Sequence, residues 1–286
     1  MSEIVSLNSA LFNDFGVSED TILCKSNIPH KLITNCDAIM FNAFIIPDKI
    51  DLDTITRFQI NIGGLNIFDI PWDIFKMNNV RHIYKFFYIT ILSECFGTKF
   101  DDNLLIPNKF ILPLTILKQE CRCILRTNDS DFEYEIMTDK IFYNKTTMDN
   151  IENSTIKYNI NEYEQHNITG HTTYIGNCKI IEGFYIKTLV SLSDYKLTSI
   201  CDSGYDVIVE HKNKNTIAYY ENLREFSSSG YMYWFQLNKY QNHAINYLRH
   251  MKIMLSPYEI DSGCIYILKT NEVMFKDGLC CLRYSN

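Results

Sequence analysis

The residues of this sequence best equipped for chemistry are its cysteines, its histidines and one short run of carboxylates. Cys121 and Cys123 lie two apart in a strand-like segment, which puts both thiols on one face. Such a pair is half of a structural zinc site, which takes further ligands from pairs spaced as CxxC or HxxxH. No second pair has that spacing, and the adjacent Cys280 and Cys281 point to opposite faces of a strand. The thiols therefore read as small core residues. His166, His171, His211, His243 and His250 could each act as base to a cysteine nucleophile, but no nucleophile elbow or Cys-His pair is set up locally. His166 and His171 fall in a polar connection and read as solvated; His250 stands at a strand entrance, where it would cap a loop. Asp129-x-Asp131-x-Glu133 places oxygens at alternate positions, with Asp101 and Asp102 upstream, as a calcium site or glycosidase pair would require. The glycine and distal glutamate of a calcium loop are missing, so a solvated strand entrance is the reading. Gly63-Gly64 lacks the rest of any phosphate-binding fingerprint and is read as a turn. Tyr231, Tyr233, Trp234 and Phe235 suit a carbohydrate platform or a core strand, and the core is favoured. No catalytic, cofactor-binding or metal-ligating residue is assigned, and no cofactor is expected.

The elements that must position these groups are short strands. Phe58, Ile60 and Ile62 alternate with Arg57, Gln59 and Asn61, the period-two signature of a half-buried strand. Gly63-Gly64 turns the chain, and residues 65–70 return as a second strand. Pro71 then opens a short helix over Trp72 to Phe75. Further strands are expected at residues 86–92, 103–106, 112–117, 121–125 and 132–137. Residues 144–173 are rich in Asn, Thr and Glu and read as a boundary or long crossing loop, with an edge strand at 156–160. Strands follow at 179–186, 196–200, 205–211, 231–237 and 251–255, with a helical turn at 221–226 and a turn at 244–249. At the end, Asp277-Gly278 between apolar runs signals a tight hairpin, since both positions tolerate positive φ. The closing strand ties the C-terminus into a sheet. The expected class is all-β: tandem antiparallel β-sandwiches with few short helices. Residues 1–37 are read as an N-terminal arm or short helix, 38–150 as a first sandwich and 151–286 as a second.

Bulk properties narrow the function. With 286 residues and 46% hydrophobic content, the chain can build a sizeable core. Its net charge of −7, from 34 acidic and 27 basic residues, argues against a nucleic-acid partner, which needs clustered Lys and Arg. Small basic groups such as Lys212 and Lys214 read as solvated loop. No run of about eighteen apolar residues occurs, and the start lacks the basic and apolar regions of a signal peptide. Ten cysteines without such a signal imply reduced thiols. Asn144, Asn153 and Asn167 begin N-x-S/T triplets, which would stay unmodified without secretion.

Several motifs resemble those of the capsid-type jelly-roll proteins of nucleocytoplasmic large DNA viruses. Gln59-Ile60-Asn61-Ile62-Gly63-Gly64 is similar to that family's Leu-Gln-Ile-Gly-Gly strand and turn, and Ile70-Pro71-Trp72 to its Ile-Pro-Phe step. Ile111-Leu112-Pro113-Leu114 through Cys123 resembles its Leu-Pro-Leu strand pair, although Lys118-Gln119-Glu120 replace the family's aromatic and His. Residues 233–237 and 244–249 match later elements. Asn271, Gly278, Leu282, Tyr284, Ser285 and Asn286 match the Gly-turn and Tyr-Ser-Asn terminus. The resemblance implies a double jelly roll, a virion location after assembly in the host cytoplasm, trimerisation, and contacts with other virion proteins. It carries no catalytic residues. The family's major capsid proteins bear long insertions between strands, so this shorter chain is expected to be a small divergent or minor component. A glycan- or host-protein-binding sandwich is the second reading, favoured if Tyr231 to Phe235 are exposed. A cysteine- or metal-dependent enzyme is the third.

Overall fold

The computed structural model describes residues 15–32, 35–77, 80–99, 110–129, 131–168, 172–174, 181–188, 196–201, 231–236, 250–256 and 263–283. Among them the chain is antiparallel sheet with two short α-helices, the all-β class expected. The backbone forms two compact units, residues 1–161 with 271–286, and residues 162–270. The expected division at 150/151 differs in placing 271–286 with the second half.

In the first unit, strands β1 (Phe15–Lys25), β10 (Glu133–Tyr143), β3 (Ala38–Pro47), β7 (Phe86–Thr90) and β6 (Val80–Ile83) form one sheet in that order. A second sheet runs β2 (His30–Lys31), β9 (Cys121–Thr127), β4 (Ile55–Ile62) and β5 (Leu65–Pro71). Helix α1 (Trp72–Lys76) follows β5, with Pro71 as its N-cap. Strand β8 (Gly97–Lys99) pairs with the start of β11 (Ile156–Ile168), while the end of β17 (Gly263–Lys276) pairs with β18 (Leu279–Leu282). β4 follows the alternation closely: Phe58, Ile60 and Ile62 are fully buried. β3 is buried on both faces, which suits its largely apolar sequence, interrupted only by Asn42, in a central strand.

Aromatic rings join these layers. Phe44 on β3 meets Phe58, Trp72 and Phe75 at centroid distances of 5.1, 5.2 and 5.2 Å. The contacts continue through Phe58–Phe96, Phe96–Phe68, Phe68–Phe110, Phe110–Tyr158 and Tyr158–Phe275. Most are edge-to-face, the arrangement favoured by ring quadrupoles. The C-terminal hairpin therefore contributes Phe275 to the same core as Trp72.

Four local expectations change. Phe15–Lys25 is a strand in full register with β10, not an arm or helix, and residues 1–14 of the expected arm lie outside the described residues. Both faces of the strand are mixed: Ser18 and Cys24 are buried whereas Val17 and Leu23 are 42% and 60% exposed. Residues 112–117 form no strand beyond a bridge from Leu112 to Ile39, because Pro113 lacks an N–H and Leu117 N closes a turn onto Leu114 O. The polar stretch 144–173 is not a long loop. It holds helix α2 (Lys145–Glu152), capped by the Asn144 side chain accepting from Thr147 N at 2.8 Å, and the thirteen-residue β11. β11 lies between β8 and β17, so residues 156–160 are not at an edge. The expected features at residues 103–106, 205–211, 221–226 and 244–249 lie outside the described residues.

In the second unit, β13 (Ile181–Thr188) pairs on one side with β15 (Tyr231–Gln236) and on the other with residues 263–269 of β17. β16 (His250–Ser256) lies between β12 (Thr172–Tyr174) and β14 (Lys196–Cys201).

The Lys118-Gln119-Glu120 stretch clasps two turns of the first unit. Asp277 and Gly278 have φ of 54° and 86°, and Gly63 and Gly64 of 58° and 93°. Lys118 N donates to Gly278 O at 2.9 Å, and Gly63 N donates to Glu120 O at 2.9 Å. The Gln119 side-chain oxygen accepts from Cys280 N at 2.7 Å. Its amide lies 2.4 Å from where a Cβ on Gly63 would stand, so glycine is needed there for space as well as for φ.

Two stability outcomes follow. Phe58→Ala should cost roughly 3–5 kcal/mol in chemical denaturation, whereas Leu65→Ala, at a 43% exposed site, should stay within about 0.5 kcal/mol. Gln119→Ala strands the Cys280 amide and should cost about 1–3 kcal/mol, with faster hydrogen exchange in residues 277–282.

Candidate functional site

β9 does place Cys121 and Cys123 on the inner face, both buried. Burial pushes the Cys121 thiol up to about 11. Cys123 faces Cys24 of β1 across the sandwich. The hydrogen bond between the two thiols lowers Cys24 and, together with burial, raises Cys123. Cys280 is buried and pushed up to about 12, while Cys281 is half-buried. Among the described residues no group of three or more His, Cys, Asp or Glu is placed to hold a metal ion.

The histidines separate. His166 lies on β11 rather than in a solvated connection, half-buried and 2.7 Å from Glu164 Oε1. Glu164 also pairs with Lys269 of β17. Burial lowers both His166 and Lys269, and at Lys269 the Glu162 charge opposes it without reversing it. His250 begins β16; His171, His211 and His243 lie outside the described residues. Asp131 accepts from Asn27 at 3.0 Å and sits 4.0 Å from Lys25, and Glu133 pairs in register with Lys25. This is the solvated strand entrance expected. Asp101 and Asp102 lie outside the described residues. On β15, Tyr231, Tyr233, Trp234 and Phe235 stand opposite Thr188, Ile186, Tyr185 and Phe184 of β13. A shallow cleft of about 290 Å³ beside the clasp includes Lys31, Lys118 and Glu120 in its lining. The Glu120 carboxylate is already held by Arg122 at 2.7 Å and Lys31 at 3.2 Å.

Among the described residues, both ends of the five-stranded sheet expose large apolar side chains. On one face at the β1 end stand Val17, Glu19 and Leu23, beside Glu135 and Asp139 of β10 and with Lys25 at the end of the row. At the other end, Ile83, Tyr84 and Phe86 at the β6–β7 turn are 53%, 80% and 43% exposed. Arg81, His82 and Lys85 surround them, all exposed. Lys85 Nζ lies 5.3 Å from the Tyr84 ring centroid, and His82 is 3.3 Å from Asp48. One end is apolar and acidic, the other aromatic and basic. Composition missed both. The signal in sequence is Arg81 to Phe87, a run of cations and large apolar residues about a turn.

No family model matches the sequence, and no curated protein sequence matches it. Solved structures do. VP54 of PBCV-1, from a crystal structure fitted into a reconstruction of the virophage Sputnik, aligns over 95% of this chain and 97% of its own, with TM-score 0.65 and 11% identity. A chain of the quasi-atomic PBCV-1 virus capsid aligns over the same shares with TM-score 0.66 and 11% identity. The likeness is one of fold: a double jelly roll, as the motif order implied.

Thiol chemistry provides a check on this placement. Alkylation of the native protein at pH 8 should modify Cys264 and Cys281 and spare Cys24, Cys36, Cys121, Cys123 and Cys280. At that pH only roughly one Cys121 in a thousand is thiolate, even before burial limits access. Peptide mass spectrometry reads the pattern, and rapid labelling of Cys121 would contradict the burial.

Proposed function

We propose that this chain is a structural component of a viral capsid that acts by associating with copies of itself and with neighbouring virion proteins. The observation that carries this reading is the alignment of 95% of the chain with VP54 and with a chain of the PBCV-1 capsid. The disposition of reactive groups supports it. Five of the eight described free thiols are buried to 5% exposure or less. Asp131, one of the carboxylates weighed for catalysis, is tied to Asn27 and Lys25. The protein would work through complementary surfaces on rigid sandwiches rather than through turnover. Each unit would supply one jelly roll, trimerisation would follow the family pattern, and the chain would reach the virion from the host cytoplasm.

Light scattering on the purified protein tests this reading. A mass that is a whole multiple of 33.6 kDa, greater than one, is expected at micromolar concentration. A strict 33.6 kDa monomer at the highest soluble concentration would count against it.

A further inference from the structure

Two buried thiols of the first unit stand where its two sheets are stitched together. Cys24 is the last inward residue of β1, in register with Tyr134 of β10. Cys123 lies on β9 of the other sheet, in register with Ile60 of β4 and His30 of β2. The chain leaving β1 crosses at once from the first sheet to the second. Ser26 N donates to Phe132 O at 2.9 Å, and Asn27 N donates to Leu125 O at 2.8 Å. Ser26 Oγ accepts from Phe132 N at 2.9 Å, and the Asn27 side-chain oxygen accepts from Thr127 N at 3.0 Å. These bonds draw the end of β1 onto β9. Cys24 stands three residues before Asn27, and Cys123 two residues before Leu125, so the crossover brings the two inward side chains together.

The pair is 3% and 0% exposed, and the two thiols are hydrogen-bonded to each other. Contact between the sulfurs leaves only a short approach to the disulfide length of about 2.05 Å. Cys121, two residues along the same face of β9, neighbours Cys280 instead.

We propose that Cys24 and Cys123 are a redox-sensitive staple, which oxidation by peroxide closes into a disulfide tying β1 to β9. Cys24 is the attacking thiol, because the hydrogen bond from Cys123 favours its thiolate. Its sulfur takes one oxygen from hydrogen peroxide and becomes a sulfenic acid; the hydroxide released takes up the Cys24 proton and leaves as water. The Cys123 sulfur then displaces the hydroxyl, which departs with the Cys123 proton as a second water. Two thiols and one peroxide thus give one disulfide and two waters. Glutathione in a reducing cytosol would hold the pair open, and an oxidising exterior would close it. The closed loop spans about a hundred residues, so the staple would constrain the unfolded chain and raise resistance to heat. It rests on these residues alone and does not depend on the capsid reading.

Peptide mapping of the purified full chain tests the staple. The native protein is titrated with hydrogen peroxide, quenched in acid, and alkylated under denaturing conditions before digestion without reductant. Circular dichroism follows the fold throughout. The expected result is a Cys24–Cys123 linked peptide formed while the protein is folded. The thermal midpoint should rise by about 5 °C or more, and dithiothreitol should reverse both changes. Cys121→Ser should keep the linkage and the thermal shift, whereas Cys24→Ser should lose both. Recovery of Cys24 and Cys123 as free thiols at every peroxide concentration would overturn the proposal. So would a linkage that forms only after the fold is lost, or one that joins Cys123 to another cysteine. The wild-type map decides the matter even if Cys24→Ser fails to fold.

Discussion

The clasp formed by Lys118, Gln119 and Glu120 is the constraint on which the first unit depends. Two backbone hydrogen bonds and one side-chain hydrogen bond tie the Gly63 turn to the Gly278 turn, across more than two hundred residues of chain. Both turns need left-handed backbone, and both lie too close to the clasp to accept a side chain: a Cβ on Gly278 would stand 2.6 Å from Lys118 Cγ. With the hairpin held there, Phe275 reaches Tyr158 and completes the ring contacts that begin at Trp72. A Glu272–Arg283 ion pair at 3.0 Å, with Arg283 N donating to Glu272 O, fastens the far end of the hairpin. The return of 271–286 to the first unit follows from these bonds.

What the sequence made legible is what obeys period two or needs a special φ. β4, the two glycine turns and the shared face of Cys121 and Cys123 are local patterns with one physical solution. They are also the motifs that carried the jelly-roll resemblance, and the fold aligns with solved structures at 11% identity. β1 was illegible because each of its faces mixes apolar and polar residues. Val17 and Leu23 point outward, while Ser18 is buried and Asp20 is engaged by Lys140 at 2.9 Å. β11 was under-read because Lys157, Asn159 and Asn161 on its other face masked the row Ile156, Tyr158 and Ile160. Lys118 to Glu120 stood out only as a departure from the family pattern, and their bonding partners are known only once the chain is folded.

The candidate chemistry divides in the same way. Groups that could attack or bind a metal are spent on packing: Cys123 on Cys24, Cys280 beneath the clasp, Glu164 between His166 and Lys269. Among the described residues, the accessible groups include apolar and charged residues at the ends of the five-stranded sheet. No short motif marks such an edge. Which strands are terminal, and which face Val17 and Ile83 share, depends on pairings between residues far apart in sequence.

The central claim is that this chain is built into a capsid, and quantitative mass spectrometry of purified particles tests it most directly. Particles would be banded on a density gradient from cells producing the virus that encodes the chain, then treated with protease to strip adhering material. The account predicts that the chain bands with the capsids in fixed proportion to the other shell proteins and survives the treatment. Its absence from the banded particles, with abundant free chain in the lysate, would contradict the account.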